Sequence, residues 1–210
     1  MRLVIVMLLG LGLAACQQAY YEAAEKVGYH KRDILVDRVE DSRDAQQQAE
    51  EQFTSALEQL QAMVNYDGGD LEKMYDDMVD VYEDSRASAD KVSERIDAVD
   101  NVANSLFKEW EAEINEYTSA SLKADSQAKL TQTRKRYQSM IAALRSSEAK
   151  MDPVLASLND NVLYLKHNLN AQSIASLKTE FKTIEGNIDA LIIEMRKAIA
   201  SSDAFIASMK

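Results

Sequence analysis

Residues that break regular structure are almost missing from this chain. Among 210 residues there is one proline and there are six glycines, two of which, Gly10 and Gly12, fall in the first sixteen residues. No stretch alternates apolar and polar residues as a half-buried strand does, so a sheet-based fold is excluded. Cysteine occurs once, at Cys16, which leaves no intramolecular disulfide. Histidine occurs twice, at His30 and His167, without the close spacing of a zinc motif. Positive charge is in deficit: 24 Lys and Arg face 35 Asp and Glu, a net charge of −11. Such a chain repels phosphate backbones, so general nucleic-acid binding is excluded. No G-x-x-x-x-G-K-[ST] loop is present, and no Ser-His-Asp or Cys-His set offers an activated nucleophile. The sequence therefore points away from an enzyme, and it calls for no cofactor and no metal.

What is present begins with the leader. Arg2 precedes an apolar run from Leu3 to Leu13, which suits a signal-peptide core and is too short to span a bilayer. Leu13, Ala14, Ala15 and Cys16 then match a bacterial lipobox, in which cleavage occurs before the cysteine and its sulfur is acylated. Three acyl chains at about 0.8 kcal/mol per buried CH₂ would hold far more firmly than a reversible anchor. Gln17 follows the cysteine where an inner-membrane retention signal has Asp, so the expected location is the periplasmic face of the outer membrane. The domain reading is a signal peptide over 1–15, a lipidated membrane-proximal tether over 16–32, and a helical coiled-coil bundle over 33–210.

The bundle is read from apolar spacing. A first helix is expected from about Ala19 to Asn65, with a seam at Val36, Val39, Arg43, Gln46, Glu50, Phe53, Leu57, Leu60 and Val64. Its polar middle would cost stability and fix register. Asp67-Gly68-Gly69-Asp70 permits a tight reversal, with Asp70 as an N-cap. A second seam runs from Leu71 through Met78, Val92, Val99 and Trp110 to Tyr117. At 1.5 Å per residue that helix would be roughly 70 Å long, and it needs a partner along most of its length. Thr118-Ser119-Ala120-Ser121 leaves both a turn and a continuous helix open. Asp152-Pro153 predicts a new helix start. His167-Asn168-Leu169-Asn170 predicts a break. A last seam runs from Ile174 through Leu177, Ile188 and Met195 to Met209, with Gly186 off it. The fold class is all-α, an elongated antiparallel helical bundle or coiled coil of long helices. The glycine turn favours intramolecular pairing, and a homo-oligomer stays open.

Other residues carry weaker signals. Asp76, Asp80 and Asp84 line one helix face and read as a solvated surface. The Arg134-Lys135-Arg136 cluster reads the same way. Trp110 lies on the seam and Phe107 beside it, so these two are the candidate interface, with Phe107 the more exposed. Tyr20 and Tyr21 follow the anchor, where aromatic rings favour the headgroup zone.

Several segments together resemble a known family. They are Tyr20-Tyr21-Glu22-Ala23, the run from Val27-Gly28-Tyr29-His30 to Val36, Asp67-Gly68-Gly69-Asp70-Leu71, Leu106-Phe107-Lys108-Glu109-Trp110, and the run from Tyr164-Leu165-Lys166-His167 to Gln172. The chain resembles an uncharacterised gammaproteobacterial envelope lipoprotein family (domain of unknown function 2959) over nearly all of its mature length. The resemblance implies a helical fold and brings no reaction, cofactor or catalytic residue. The expected function is thus a non-enzymatic, periplasm-facing lipoprotein: a helical spacer or adaptor held to the membrane through Cys16 and binding an envelope protein. The alternative is a module for a lipid or small apolar ligand, with Arg43, Gln46 and Glu50 lining or capping a cavity.

Overall fold

The computed structural model describes residues 30–65, 71–168 and 171–210, with side chains in the last segment from Ser176 onward. Four helices account for nearly all of them: α1 (Lys31–Val64), α2 (Leu71–Glu116), α3 (Ala120–His167) and α4 (Ala171–Met209). Each packs on its two neighbours in a closed ring, α1 on α2 and α4, α3 on α2 and α4. Interhelical polar pairs give the direction. Lys31 meets Glu109 at 2.6 Å and Lys91 meets Gln48 at 2.7 Å, so α1 and α2 are antiparallel. Arg145 meets Asp97 at 2.6 Å, whereas Trp110 meets Ser126 at 2.9 Å, which sets α3 antiparallel to α2. Glu50 with Arg196 and Glu40 with Lys210 do the same for α1 and α4. The result is an up-down-up-down four-helix bundle. At one end, called the near end below, α1 and α3 begin while α2 and α4 finish; the far end is opposite.

The seam of α4, and that of α2 as far as Ala103, lie where the spacing places them; beyond it Leu106 and Trp110 are half-buried, Phe107 takes the interior, and Tyr117 lies past the end of α2 and is exposed. Met78, Val81, Val92, Ile96 and Val99 of α2 are buried, as are Ile188, Leu191, Met195 and Phe205 of α4. The seam of α1 is displaced. Val36, Arg43, Glu50 and Leu57 are only half-buried, and the preceding residues Leu35, Ser42, Ala49 and Ala56 take the interior instead. The expected seam follows an unbroken alternation of three- and four-residue steps, which runs through the charged Arg43 and Glu50. The interior of a four-helix ring needs small side chains, which let the backbones approach and leave room for Phe53. Arg43 and Glu50 accordingly leave the core. Arg43 pairs with Asp44 and Asp203, and Glu50 accepts from Arg196.

Gln46 is the polar α1 position that does face inward, fully buried. Its Oε1 accepts a hydrogen bond of 2.8 Å from Ser147 Oγ of α3, across the bundle. Its Nε2 has no protein partner, nor do the buried hydroxyls of Ser42 and Ser85. A buried amide hydrogen left unpaired costs on the order of 1–3 kcal/mol, more than one ordinary hydrogen bond contributes. The Gln46–Ser147 bond therefore fixes the level of α1 against α3 at a net cost in stability.

The helix ends correct one expectation and resolve another. Asp152-Pro153 starts nothing: α3 runs through it. Pro153 is on the exposed face, and so is Ala149, whose carbonyl loses its partner to the ring and can turn to water. On the inner face Met151, Val154 and Leu158 are buried. Each contributes roughly 1.5–3 kcal/mol, which together outweighs the roughly 3 kcal/mol cost of an interior proline. The chain does break after Glu116, and Ser119 caps α3 by accepting from Leu122 N at 3.4 Å. α3 ends at His167, where Asn168 donates from its backbone to Leu165 O and from its side chain to Tyr164 O. α1 opens at Lys31 after an extended His30. The rest of the stretch expected to be helical from Ala19, and the glycine turn with Asp70, lie outside the described residues. No helix among the described residues is long and apolar enough to cross a membrane.

Two variants test this packing. Gly186 is exposed within α4, and a Cβ there meets nothing within 4 Å. Gly186→Ala should raise stability by about 0.5–1 kcal/mol and Tm by roughly 1–4 °C; an unchanged or lower Tm would contradict an unobstructed helical site. Gln46→Leu together with Ser147→Ala removes the unpaired amide and its hydroxyl partner, and should raise the denaturant midpoint by an amount worth about 1 kcal/mol. A lowered midpoint would mean that the Gln46–Ser147 bond is net stabilising.

Candidate functional site

The residues with chemical potential gather in the near half of the bundle. At its middle Arg145 of α3 reaches Asp97 at 2.6 Å, Asp100 at 3.3 Å and Glu148 at 2.9 Å. Burial opposes its charge, but the hydrogen bonds to Asp97, Glu148 and Asp100 outweigh that and hold its pKa above the ordinary value. Tyr137, about two helical turns before Arg145 on α3, donates its hydroxyl to Asp100. Burial pushes the phenol well above its usual pKa, and the hydrogen bond to Asp100 and the charge of that carboxylate push it further. A phenol held this firmly in its protonated form is a structural donor and has no use as a base near neutral pH.

Tyr137 also joins an aromatic row. Its ring meets Phe107 of α2 edge to face at 5.4 Å and Phe205 of α4 at 6.3 Å. Phe107 is buried, with 5% of its surface exposed, because the next turn of α3 covers it. The guanidinium of Arg134 lies over its ring at 5.3 Å and is held there by Glu111. The expectation that Phe107 is an exposed docking residue is therefore overturned. Its place beside the seam puts it outward on a lone helix, and α3 closes over that side. Trp110 is half-buried against the core, with its Nε1 donating to Ser126 Oγ at 2.9 Å. The hydrogen bond of Arg134 holds the Glu111 carboxyl below its usual pKa.

Beyond Trp110, at the near end, the four helices enclose an open cavity of about 550 Å³. Leu106, Trp110 and Met209 form its apolar side. His30, Arg32, Lys129 and Arg136 line it with cationic or titratable groups. Two carboxylates share it: Glu109 is taken up by Lys31 at 2.6 Å, and Glu113 is also partnered. A site with this lining can hold an anion against an apolar wall. It draws on all four helices, so no single stretch of sequence announces it. The one linear signal was the Arg134-Lys135-Arg136 cluster, and its three members part company. Arg134 covers Phe107, Lys135 is exposed, and Arg136 lines the cavity.

The remaining sequence candidates are dispersed. His30 is at the near end and His167 at the far end, so they cannot share a metal ion. Among the described residues no group of three His, Cys, Asp or Glu side chains is placed to hold one. Asp76, Asp80 and Asp84 are exposed on the outer face of α2. Leu13, Ala14, Ala15 and Cys16, with Tyr20 and Tyr21, lie outside the described residues.

The Tyr137 arrangement predicts an alkaline limb. A phenol whose pKa is raised on folding contributes stability that is intact below its unfolded value, about 10, and declines as pH rises beyond it. Tyr137→Phe should cost about 1 kcal/mol at neutral pH and flatten the decline above pH ~10, measured by denaturant unfolding across pH. An equally steep decline in the variant would remove Tyr137 as its source.

Comparison with curated proteins gives no match, and comparison with solved structures gives none either. One family model matches residues 20–209, nearly the whole chain, and its description is a protein of unknown function, DUF2959. The chain therefore belongs to the DUF2959 family.

Proposed function

We propose that this protein is a non-enzymatic lipoprotein of the bacterial envelope, in which acylated Cys16 holds a rigid helical spacer or adaptor at the periplasmic face of the outer membrane. The observation that carries the reading is the sequence Leu13-Ala14-Ala15-Cys16 after an apolar run, with the chain's lone cysteine at the one position where acylation needs it. The bundle that follows suits a spacer. Its longest helices, α2 and α3, have 46 and 48 residues, so the rod is about 70 Å long. Its outer faces are dense in ion pairs, and its clefts are open and lined by mixed polar and apolar side chains. That favours a spacer or protein adaptor over a closed container for an apolar ligand. Arg43 and Glu50, which the ligand reading would place at a cavity, form surface ion pairs instead.

Labelling of growing cells with a palmitate analogue tests the anchor. The parent protein should take up label and fractionate with the outer membrane, and Cys16→Ser should lose the label and appear in the soluble periplasmic fraction. An unlabelled parent, or a variant that stays membrane-bound, would remove the anchor from this reading. Gentle crosslinking in intact envelopes should then recover a reproducible protein partner, and its absence counts against the adaptor role.

A further inference from the structure

Arginine is almost always paired in this acidic bundle. Of the nine described arginines, Arg38, Arg43, Arg86, Arg95, Arg134, Arg145 and Arg196 each have a carboxylate within 4.0 Å. Arg32 and Arg136 have none, and no other hydrogen bond or ion pair holds them. In a chain with 35 acidic residues to 24 basic ones, unpaired arginines are the exception. These two come from different helices, α1 and α3, and line the same near-end cavity. Both are exposed, so their guanidinium forks are available to a ligand. A planar fork with parallel N–H donors matches the oxygens of a phosphate, and two forks at one cavity suit a phosphate group better than a carboxylate.

Charge along the whole rod points the same way. The Gln46–Ser147 hydrogen bond marks its middle. The near half (residues 30–45, 95–116, 120–145 and 195–210) holds fifteen Lys and Arg against thirteen Asp and Glu. The far half (46–65, 71–94, 146–168 and 171–194) holds seven against eighteen. The molecule's negative charge is thus concentrated at the end away from the cavity. An anionic surface would repel the far half and accept the near one. The near end is also where the chain leads back to Cys16. Thirteen residues lie between Cys16 and His30, a reach of at most about 50 Å.

From the cavity, its two unpaired arginines and the charge gradient, we infer that the near end of the bundle docks on the membrane by seating an anionic phospholipid headgroup between Arg32 and Arg136. Lys129, at the rim, is already paired with Asp125 at 2.8 Å, and Trp110 and Met209 offer an apolar wall to the adjoining glycerol. The headgroup contact would set the bundle upright on the membrane, with the acidic far half projected away from the bilayer. This inference rests on the Cys16 anchor for its geometry, and the site itself is testable without the acyl chains.

The test uses the mature chain carrying Cys16→Ser, produced without lipid, in a flotation assay with vesicles. At low salt it should float with vesicles of phosphatidylcholine mixed with phosphatidylglycerol and not with phosphatidylcholine alone. Because the chain as a whole is strongly negative, binding to an anionic vesicle requires a local site. Arg32→Gln with Arg136→Gln should weaken binding by about 30-fold, since each basic residue at an anionic surface contributes a factor of about five. Arg86→Gln, an exposed arginine in the far half, should leave it unchanged, and circular dichroism should show all variants folded. Equal binding by the double variant, or equal flotation with the neutral vesicles, would overturn the inference. So would saturable binding of inorganic phosphate with no flotation on the mixed vesicles, which would make this a site for soluble phosphate. The palmitate label in cells reports separately. A labelled protein that ignores anionic vesicles refutes the headgroup site and spares the anchor, whereas an unlabelled one that binds them refutes the anchor and spares the site.

Discussion

The structure depends on covering apolar stripes that are too long to be left open. Helices of 34 to 48 residues carry their apolar residues on one face, and no helix of that kind is stable alone in water along its whole length. Four such stripes facing one axis cover one another, and nearly every large buried side chain belongs to that single core. The antiparallel order follows from short connections between consecutive helices, and the salt bridges between neighbours then sit where that register puts them. Most of those bridges are exposed and contribute little each. They report the register more than they create it.

Within this constraint the local rules bend. Proline at 153 would end a helix in isolation, yet the inner face of α3 has enough to bury that the helix continues past it. Ser42, Ala49 and Ala56 occupy interior positions ahead of larger neighbours because a ring of four backbones leaves limited room at its centre. Gln46 is the counter-example, a polar side chain kept in the core although half of its amide is unanswered by protein. It marks the level at which α1 and α3 meet, and also the level across which the surface changes from nearly balanced to strongly acidic.

Much of the fold was legible beforehand because the 3.5-residue spacing of large apolar side chains is a local property. The seam of α4 and that of α2 as far as Ala103 follow from it, and the break after His167 follows from the local turn preference of Asn168. The seam of α1 was misplaced by one residue in each heptad because alanine and serine carry no signal of their own until the space around them is known. Phe107 was misjudged for a related reason: its exposure depends on what α3 does, and α2 alone says nothing of that. The cavity at the near end was not legible at all, since it takes lining residues from four helices separated by most of the chain.

The sequence by itself determined the all-helical class, the apolar face of α4 and most of that of α2, and the acidic balance, because each of these depends on residues within a few turns of one another. It also supplied the Leu13-Ala14-Ala15-Cys16 motif on which the proposed anchor rests. The tertiary structure alone decided which face of α1 turns inward, why Pro153 is tolerated, and that Phe107 is covered by Arg134. It also decided that Arg32 and Arg136 are left without carboxylates beside the same cavity. Those outcomes depend on which side chains meet across the bundle, and that is fixed only when four stripes find a common axis.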